Sequence, residues 1–368
     1  MRIGVLTSSR ADFGIYMPLL KALQTDDFFE LKIIAFGTHL SSFHGYTKTQ
    51  IEAAGLTVDY EIDSMMLSDS KEAIANAMGL TMVKFASFWK EHGNDFDLVL
   101  CLGDRYEMFA AVLSALPFSI KFGHLHGGEQ TLGAIDNVFR HSLTHASEVH
   151  FTSTETYKKR VEELLDEPKE VHHVGALSLD NILQIDFLNI EDFQEKWGID
   201  LRPPTALVTF HPETVKAEKN ADYAKELVNV IQKNNDLQFL ITMPNADTAG
   251  NIIRNMFIEH LSELSHVFME ENLGTQSYFS AMKHCQFLLG NTSSGIIEAA
   301  SFNKYVLNLG NRQEGRLSGS NVIQVPIVEK EMNDSIQKVT KNPSFEGENI
   351  YYSGGAATKI VSVLKNLK

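Results

Sequence analysis

Six small or hydroxylated residues, Gly290-Asn291-Thr292-Ser293-Ser294-Gly295, separate the apolar run Gln286-Phe287-Leu288-Leu289 from a helical pattern that opens at Ile296. A strand passing this directly into a helix leaves the first backbone N–H groups of that helix unpaired, with the Thr292 and Ser293 hydroxyls beside them, a seat for an anion. The same hydroxyls would serve as ordinary helix caps if nothing bound there. Two neighbours favour a ligand. Glu298 falls within the first helical turns, where a carboxylate can meet hydroxyl groups, and Arg312 and Arg316 follow the next apolar run, Tyr305 to Leu309. Helix-end N–H groups, a carboxylate and guanidinium together are complementary to a nucleotide diphosphate.

A second set of residues suits proton transfer. Asp104-Arg105 ends the run Leu98 to Leu102 and opens a helical pattern from Tyr106 to Leu116, where it would also fit as a helix cap. Glu129 follows two glycines, which permit a tight path past a ligand. Asp136 and Arg140 are spaced for one helix face, as a surface ion pair worth under ~1 kcal/mol or as part of a site. Asp104, Glu129 and Asp136 would give one cleft enough carboxylates for a proton acceptor and a proton donor. His211, between Phe210 and Pro212, suits either a strand end or a phosphate. His124-x-His126 and the pair His141 and His145 lack a Cys cluster or a His-Glu-x-x-His helix, so no metal is expected. Ser8-Ser9-Arg10 stands where a dinucleotide fold would carry Gly-x-Gly-x-x-Gly, so NAD is not expected and no redox cofactor is needed.

These residues need a scaffold of strand ends. Short apolar runs alternate with helical patterns along the chain, the signature of parallel sheets with crossover helices. Strands are expected at Ile3–Leu6, Leu31–Phe36, Leu98–Leu102, Ile120–Phe122, Val149–Phe151 and Val171–Val174. A second set is expected at Ala206–Phe210, Gln238–Ile241, His266–Met269, Phe287–Leu289, Tyr305–Leu309 and Val322–Val325. The expected fold is therefore α/β, with two Rossmann-like doubly wound domains facing a cleft. Residues 1–175 form the first domain, with the carboxylates. Residues 176–350 form the second, which binds the nucleotide, and a final amphipathic helix lies within 351–368. Most of the candidate groups stand in loops that follow a strand, where doubly wound folds bind ligands.

The 368 residues are 43% apolar and 21% charged, ordinary for globular domains, and the net charge of −15 argues against nucleic acid or an anionic membrane as partner. The two cysteines, Cys101 and Cys285, adjoin apolar runs and are expected as buried thiols. The first residues, MRIGVLTS, start a strand at once and no apolar run approaches membrane-spanning length, which points to a cytoplasmic location.

Several motifs in order carry a resemblance: SSRADFGIYMPLL, GDRYE, HLHGGEQTLGAIDNVFRHS, FTSTETYKKRV, FHPET, PNADTAG, GNTSSGIIE and RQEGR. Together they resemble the hydrolysing UDP-N-acetylglucosamine 2-epimerases of sialic-acid and legionaminic-acid pathways, over nearly the whole chain. The resemblance implies the glycosyltransferase-B fold, with the last helix returning to the first domain. It implies a UDP-sugar as substrate and UDP as product; a homo-oligomer is expected. By the same resemblance Arg10, His211, Asn245, Thr292, Ser293 and Arg316 bind substrate, with Glu298 on the ribose; Arg105, beside Asp104, is also expected on the substrate. Asp104 and Asp136 match catalytic carboxylates, and Glu129 or His126 takes the remaining acid–base role. Relatives acting on UDP-2,4-diacetamido-2,4,6-trideoxyglucose leave the sugar open, and a glycosyltransferase or a nucleotide-sugar sensor would share the fold.

Overall fold

The computed structural model describes residues 1–42, 45–66, 70–132, 135–166, 170–213, 217–244 and 250–367. Two compact units emerge. The first comprises Met1–Glu129, Asp136–Leu183 and Tyr351–Lys368; the second comprises Gln130–Ile135 and Gln184–Ile350.

The first unit runs β1 (Arg2–Thr7), α1 (Arg10–Gln24), β2 (Glu30–Phe36), α2 (Lys48–Ala53), β3 (Val58–Ile62), α3 (Lys71–His92), β4 (Leu98–Leu102) and α4 (Tyr106–Leu113). It continues through β5 (Phe122–Leu125), α5 (Asp136–His145), β6 (Val149–Thr152), α6 (Glu155–Leu165), β7 (Glu170–His173) and α7 (Ser178–Ile182). Its seven strands pair in parallel in the order β3-β2-β1-β4-β5-β6-β7. Strands buried on both faces, such as Leu98-Val99-Leu100-Cys101-Leu102, read as unbroken apolar runs because helices cover both sides.

The second unit runs α8 (Ile190–Trp197), β8 (Thr205–Thr209), α9 (Asn220–Lys233), β9 (Gln238–Thr242), α10 (Gly250–Leu261), β10 (Val267–Glu270) and α11 (Gly274–His284). Then come β11 (Phe287–Gly290), α12 (Ser293–Ile297), β12 (Val306–Leu309), β13 (Val322–Val325) and α13 (Glu329–Lys341). The parallel order is β10-β9-β8-β11-β12-β13. The last helix, α14 (Ala356–Asn366), joins the first unit. Its Ile360 and Leu364 share a core with Phe13, Tyr16 and Leu20 of α1. The Asp180 carboxylate of α7 accepts from the N–H groups of Ala356 and Ala357 at 3.1 and 2.7 Å, capping α14 from a distant part of the chain. Asn181 of α7 also donates to the Gly14 carbonyl at 2.7 Å, so the first unit runs on to Leu183.

Two strands differ from the sequence expectation. β3 was not foreseen, because Val58-Asp59-Tyr60-Glu61-Ile62 is an edge strand carrying charges and no unbroken apolar run marks it. The strand expected at Ile120–Phe122 forms instead at Phe122–Leu125. His124 belongs inside it because its ring is satisfied there: Nε2 donates to the Gly103 carbonyl at 2.9 Å, and Nδ1 lies 3.1 Å from the Thr144 hydroxyl. Cys101 and Cys285 are buried free thiols. Among the described residues no helix is long and apolar enough to cross a membrane.

Candidate functional site

Each sheet changes the direction of its strand order between two neighbouring strands, β1 and β4 in the first unit and β8 and β11 in the second. Loops leaving the carboxyl ends of such strands diverge and open a crevice, where doubly wound folds hold ligands.

In the first unit the loop after β1 is built around Asp12. Its carboxylate accepts from the backbone N–H and hydroxyl of Ser8 at 2.7 and 2.9 Å, and from those of Ser9 at 2.8 and 3.0 Å. Both serines are thereby used up in shaping the turn, and Arg10, exposed at the start of α1, is the group the turn presents. Behind the loop, His39 is buried between the hydroxyls of Thr7 at 2.9 Å and Thr47 at 2.8 Å, and burial lowers its pKa.

After β4 and β5 the chain gathers its proton-carrying groups around Arg140 of α5. This guanidinium is only 2% exposed. It donates to Asp104, donates to the His126 carbonyl at 2.8 Å, and lies 4.0 Å from the Glu129 carboxylate. Glu129 accepts from the Ser153 hydroxyl at 2.8 Å and pairs with His126 Nδ1 at 2.7 Å. The turn that brings Glu129 back onto His126 needs Gly128 at φ +79, where a Cβ would stand 2.6 Å from the Tyr157 carbonyl. That close approach is to α6, within the unit, where the sequence suggested a ligand. His126 itself sits at φ +64, a left-handed conformation uncommon outside glycine. His124, completely buried next to this cluster, has its pKa lowered to about 4, chiefly by burial. Arg105 makes a two-pronged pair with Glu107, at 3.2 and 2.8 Å, and Asp136 opens α5, one helix turn before Arg140.

In the second unit Asn291 is the hub. Its side chain accepts from the His211 N–H at 2.7 Å and donates to the His211 carbonyl at 2.8 Å, clamping the loop after β8 to the loop after β11. Its own carbonyl accepts from Arg312 at 3.1 Å and from Gln313 at 2.9 Å, which adds the loop after β12. Glu213 reinforces that third loop by accepting from the Asn311 N–H at 2.7 Å. Gly290 is at φ +143 with the Thr209 carbonyl 2.0 Å from where a Cβ would be, so only glycine lets β11 pass β8 at this point. The Thr292 hydroxyl caps α12 by accepting from the Ser294 N–H at 3.3 Å, and Ser293 is the first helical residue. α12 lasts five residues and Glu298, buried, forms its C-cap. Arg316 lies half-buried at the end of the turn after β12. Asn245 lies outside the described residues.

The family model described as UDP-N-acetylglucosamine 2-epimerase matches residues 21–365. The chain belongs to that family. Among its relatives, the polysialic acid biosynthesis protein P7 of Escherichia coli is 32% identical, over 99% of this chain and 94% of its own length. The GDP/UDP-N,N'-diacetylbacillosamine 2-epimerase (hydrolyzing) of Campylobacter jejuni is 34% identical, over 94% of this chain and 88% of its own. A crystal structure of the Neisseria meningitidis UDP-GlcNAc 2-epimerase bound to UDP-GlcNAc superposes with a TM-score of 0.84 at 18% identity, covering all of both chains. The two Rossmann-like domains are thus those of the glycosyltransferase-B type found in this family.

Of the residues expected to act on protons, the structure gathers Asp104, His126 and Glu129 around one guanidinium and sets Asp136 on the same helix as that arginine. Arg140, whose spacing from Asp136 allowed either a surface ion pair or a place in a site, is buried at the centre of the cluster. Ser153, Asp12 and Asn291 were missed as organisers. A serine or an asparagine after a strand is too common to signal that its side chain bridges two loops.

Proposed function

We propose that this chain is a hydrolysing 2-epimerase converting UDP-N-acetylglucosamine and water to N-acetylmannosamine and UDP. The observation that carries the reading is the assembly of Asp104, His126 and Glu129 around buried Arg140, at the carboxyl ends of β4 and β5. C2 of the sugar bears a weakly acidic proton, so its removal must be coupled to departure of UDP from C1. The products are UDP and a glycal with its double bond between C1 and C2. Protonation of C2 from the opposite face and addition of water at C1 give free N-acetylmannosamine. A proton acceptor and a proton donor are needed, and Asp104, His126, Glu129 and Asp136 supply candidates for both. Arg10, Arg105, His211, Asn245, Thr292, Ser293 and Arg316 are assigned to the substrate's diphosphate and nucleotide, and Glu298 to the ribose. Charge-assisted hydrogen bonds from these groups would stabilise the leaving diphosphate.

A second reading keeps the reaction and changes the sugar to UDP-2,4-diacetamido-2,4,6-trideoxyglucose. It is favoured by the 34% identity to a hydrolysing epimerase named for a diacetamido sugar. Incubating the protein with each UDP-sugar alone and identifying products by NMR separates the two. N-acetylmannosamine with stoichiometric UDP supports the first reading, and turnover of the diacetamido sugar alone supports the second. A protein that releases UDP only when an acceptor sugar is added is a glycosyltransferase, and both readings fail.

A further inference from the structure

Nε2 of His126 is buried without a hydrogen-bond partner among the described residues, on a side chain only 9% exposed. Its other ring nitrogen is fully committed. A carboxylate only accepts hydrogen bonds, so the 2.7 Å pair with Glu129 requires the proton on Nδ1, which leaves Nε2 a bare acceptor. Glu129 is fixed in turn. The same Oε1 accepts from the Ser153 hydroxyl at 2.8 Å, and the carboxylate is 2% exposed. From the other side Arg140 holds the His126 carbonyl, and the His126 N–H donates to the Phe151 carbonyl at 2.9 Å. Leaving a buried acceptor unpaired costs stability, and a left-handed backbone adds to that cost. Both are kept here at one residue, the mark of a group whose partner arrives with a ligand.

We infer that Nε2 of His126 is the atom that takes the C2 proton, and that Ser153, acting through Glu129, is the positioning residue that holds the imidazole in the accepting tautomer. The inference rests on the epimerase reading and deepens it. The C2–H bond breaks toward Nε2, its electron pair forms the C1=C2 bond, and the C1–O bond breaks with its pair leaving on UDP. Glu129 stays ionised and stabilises the imidazolium. After UDP departs, Nε2 releases its proton to water. The acid that protonates the other face of C2 is restored by the proton lost from the water added at C1.

Among the described residues, the charged and titratable groups facing His126 are Glu129 on its own loop, Arg140 of α5 with Asp104 beyond it, and His124 of β5. Their arrangement gives opposite signs for two variants. In Glu129→Gln the imidazolium loses its negative partner, so the acidic limb of kcat/KM moves to lower pH. In Ser153→Ala the carboxylate loses a donor and becomes a stronger partner for the imidazolium, so the limb moves to higher pH. We expect kcat to fall about 100-fold in Glu129→Gln and about tenfold in Ser153→Ala, with KM within about twofold in both. A purely structural role would lower kcat without moving the limbs apart.

The tautomer is read independently on the unaltered protein, by long-range 1H–15N NMR of 15N-histidine-labelled enzyme. His126 should carry its proton on Nδ1 when neutral. Turnover of a UDP-sugar accompanied by an Nε2–H tautomer, or by limbs that do not separate, overturns the inference and leaves the epimerase reading intact. Absence of turnover of either UDP-sugar overturns the epimerase reading itself.

Discussion

Arg140 carries the sharpest residue-scale consequence, because it is a buried cation with carboxylates on two sides. Replacing it with Met leaves Asp104 and Glu129 without their counter-charge, and breaking such a buried set costs about 3–5 kcal/mol. Urea denaturation should show that loss, and Arg140→Met should have no measurable epimerase turnover; a stable, active variant would refute the central role given to this guanidinium. His124 predicts a pH dependence. Its folded pKa is lowered to about 4 by burial while the unfolded value is near 6.5, so the unfolded chain binds the proton first. The contribution of His124 to stability is therefore intact above pH 6.5 and is lost as pH falls toward 4, by about 3 kcal/mol in all. Denaturation midpoints between pH 7 and pH 4.5 should fall less steeply in His124→Gln than in the natural protein, and parallel slopes would contradict this. Asp104, Glu129 and His126 were legible in the sequence because they follow strand-like runs. The burial of Arg140 was not, since an acid and a base four residues apart is the ordinary pattern of a solvated helix face. Only the turn of α5 against β4 and β5 distinguishes the two cases.

At the scale of elements, the second unit depends on how closely β11 passes β8. Gly290→Ala forces a Cβ into the Thr209 carbonyl at a φ that side chains avoid. The expected cost is about 3 kcal/mol or more. β8 leads to His211 and β11 to Asn291, so separating the strands also unclamps the His211 loop. Isothermal calorimetry should then find UDP affinity lowered at least tenfold in Gly290→Ala. Affinity equal to that of the natural protein would show that the clamp has no part in binding. Nearly all strands were legible because helices cover both faces of each sheet and leave continuous apolar runs. The edge strand β3 was hidden by its alternating charges. β5 was misplaced because a histidine with both ring nitrogens satisfied behaves as a core residue, which composition alone does not reveal. The loop before α12 was legible as a polar turn. Its capping by Thr292 and the brevity of α12 were not, because Ile296 to Ala300 has the pattern of a longer helix.

At the scale of the molecule, the chain crosses between its units at 129/130, 135/136, 183/184 and 350/351. Removing residues 351–368 should strip the apolar face of α1 and leave the Asp180 carboxylate with no helix to cap. We expect hydrogen exchange in the truncated protein to show protection lost in β1, α1 and α7 while β8, β9 and β11 keep theirs; protection retained throughout would refute the dependence. The same arrangement bears on biosynthesis. The first unit cannot be finished until α14 has been made, whereas β8 to β13 and their helices all precede α14 in the chain. A released chain ending at residue 350 should therefore yield a protease-resistant second unit beside a first unit that is still open to cleavage.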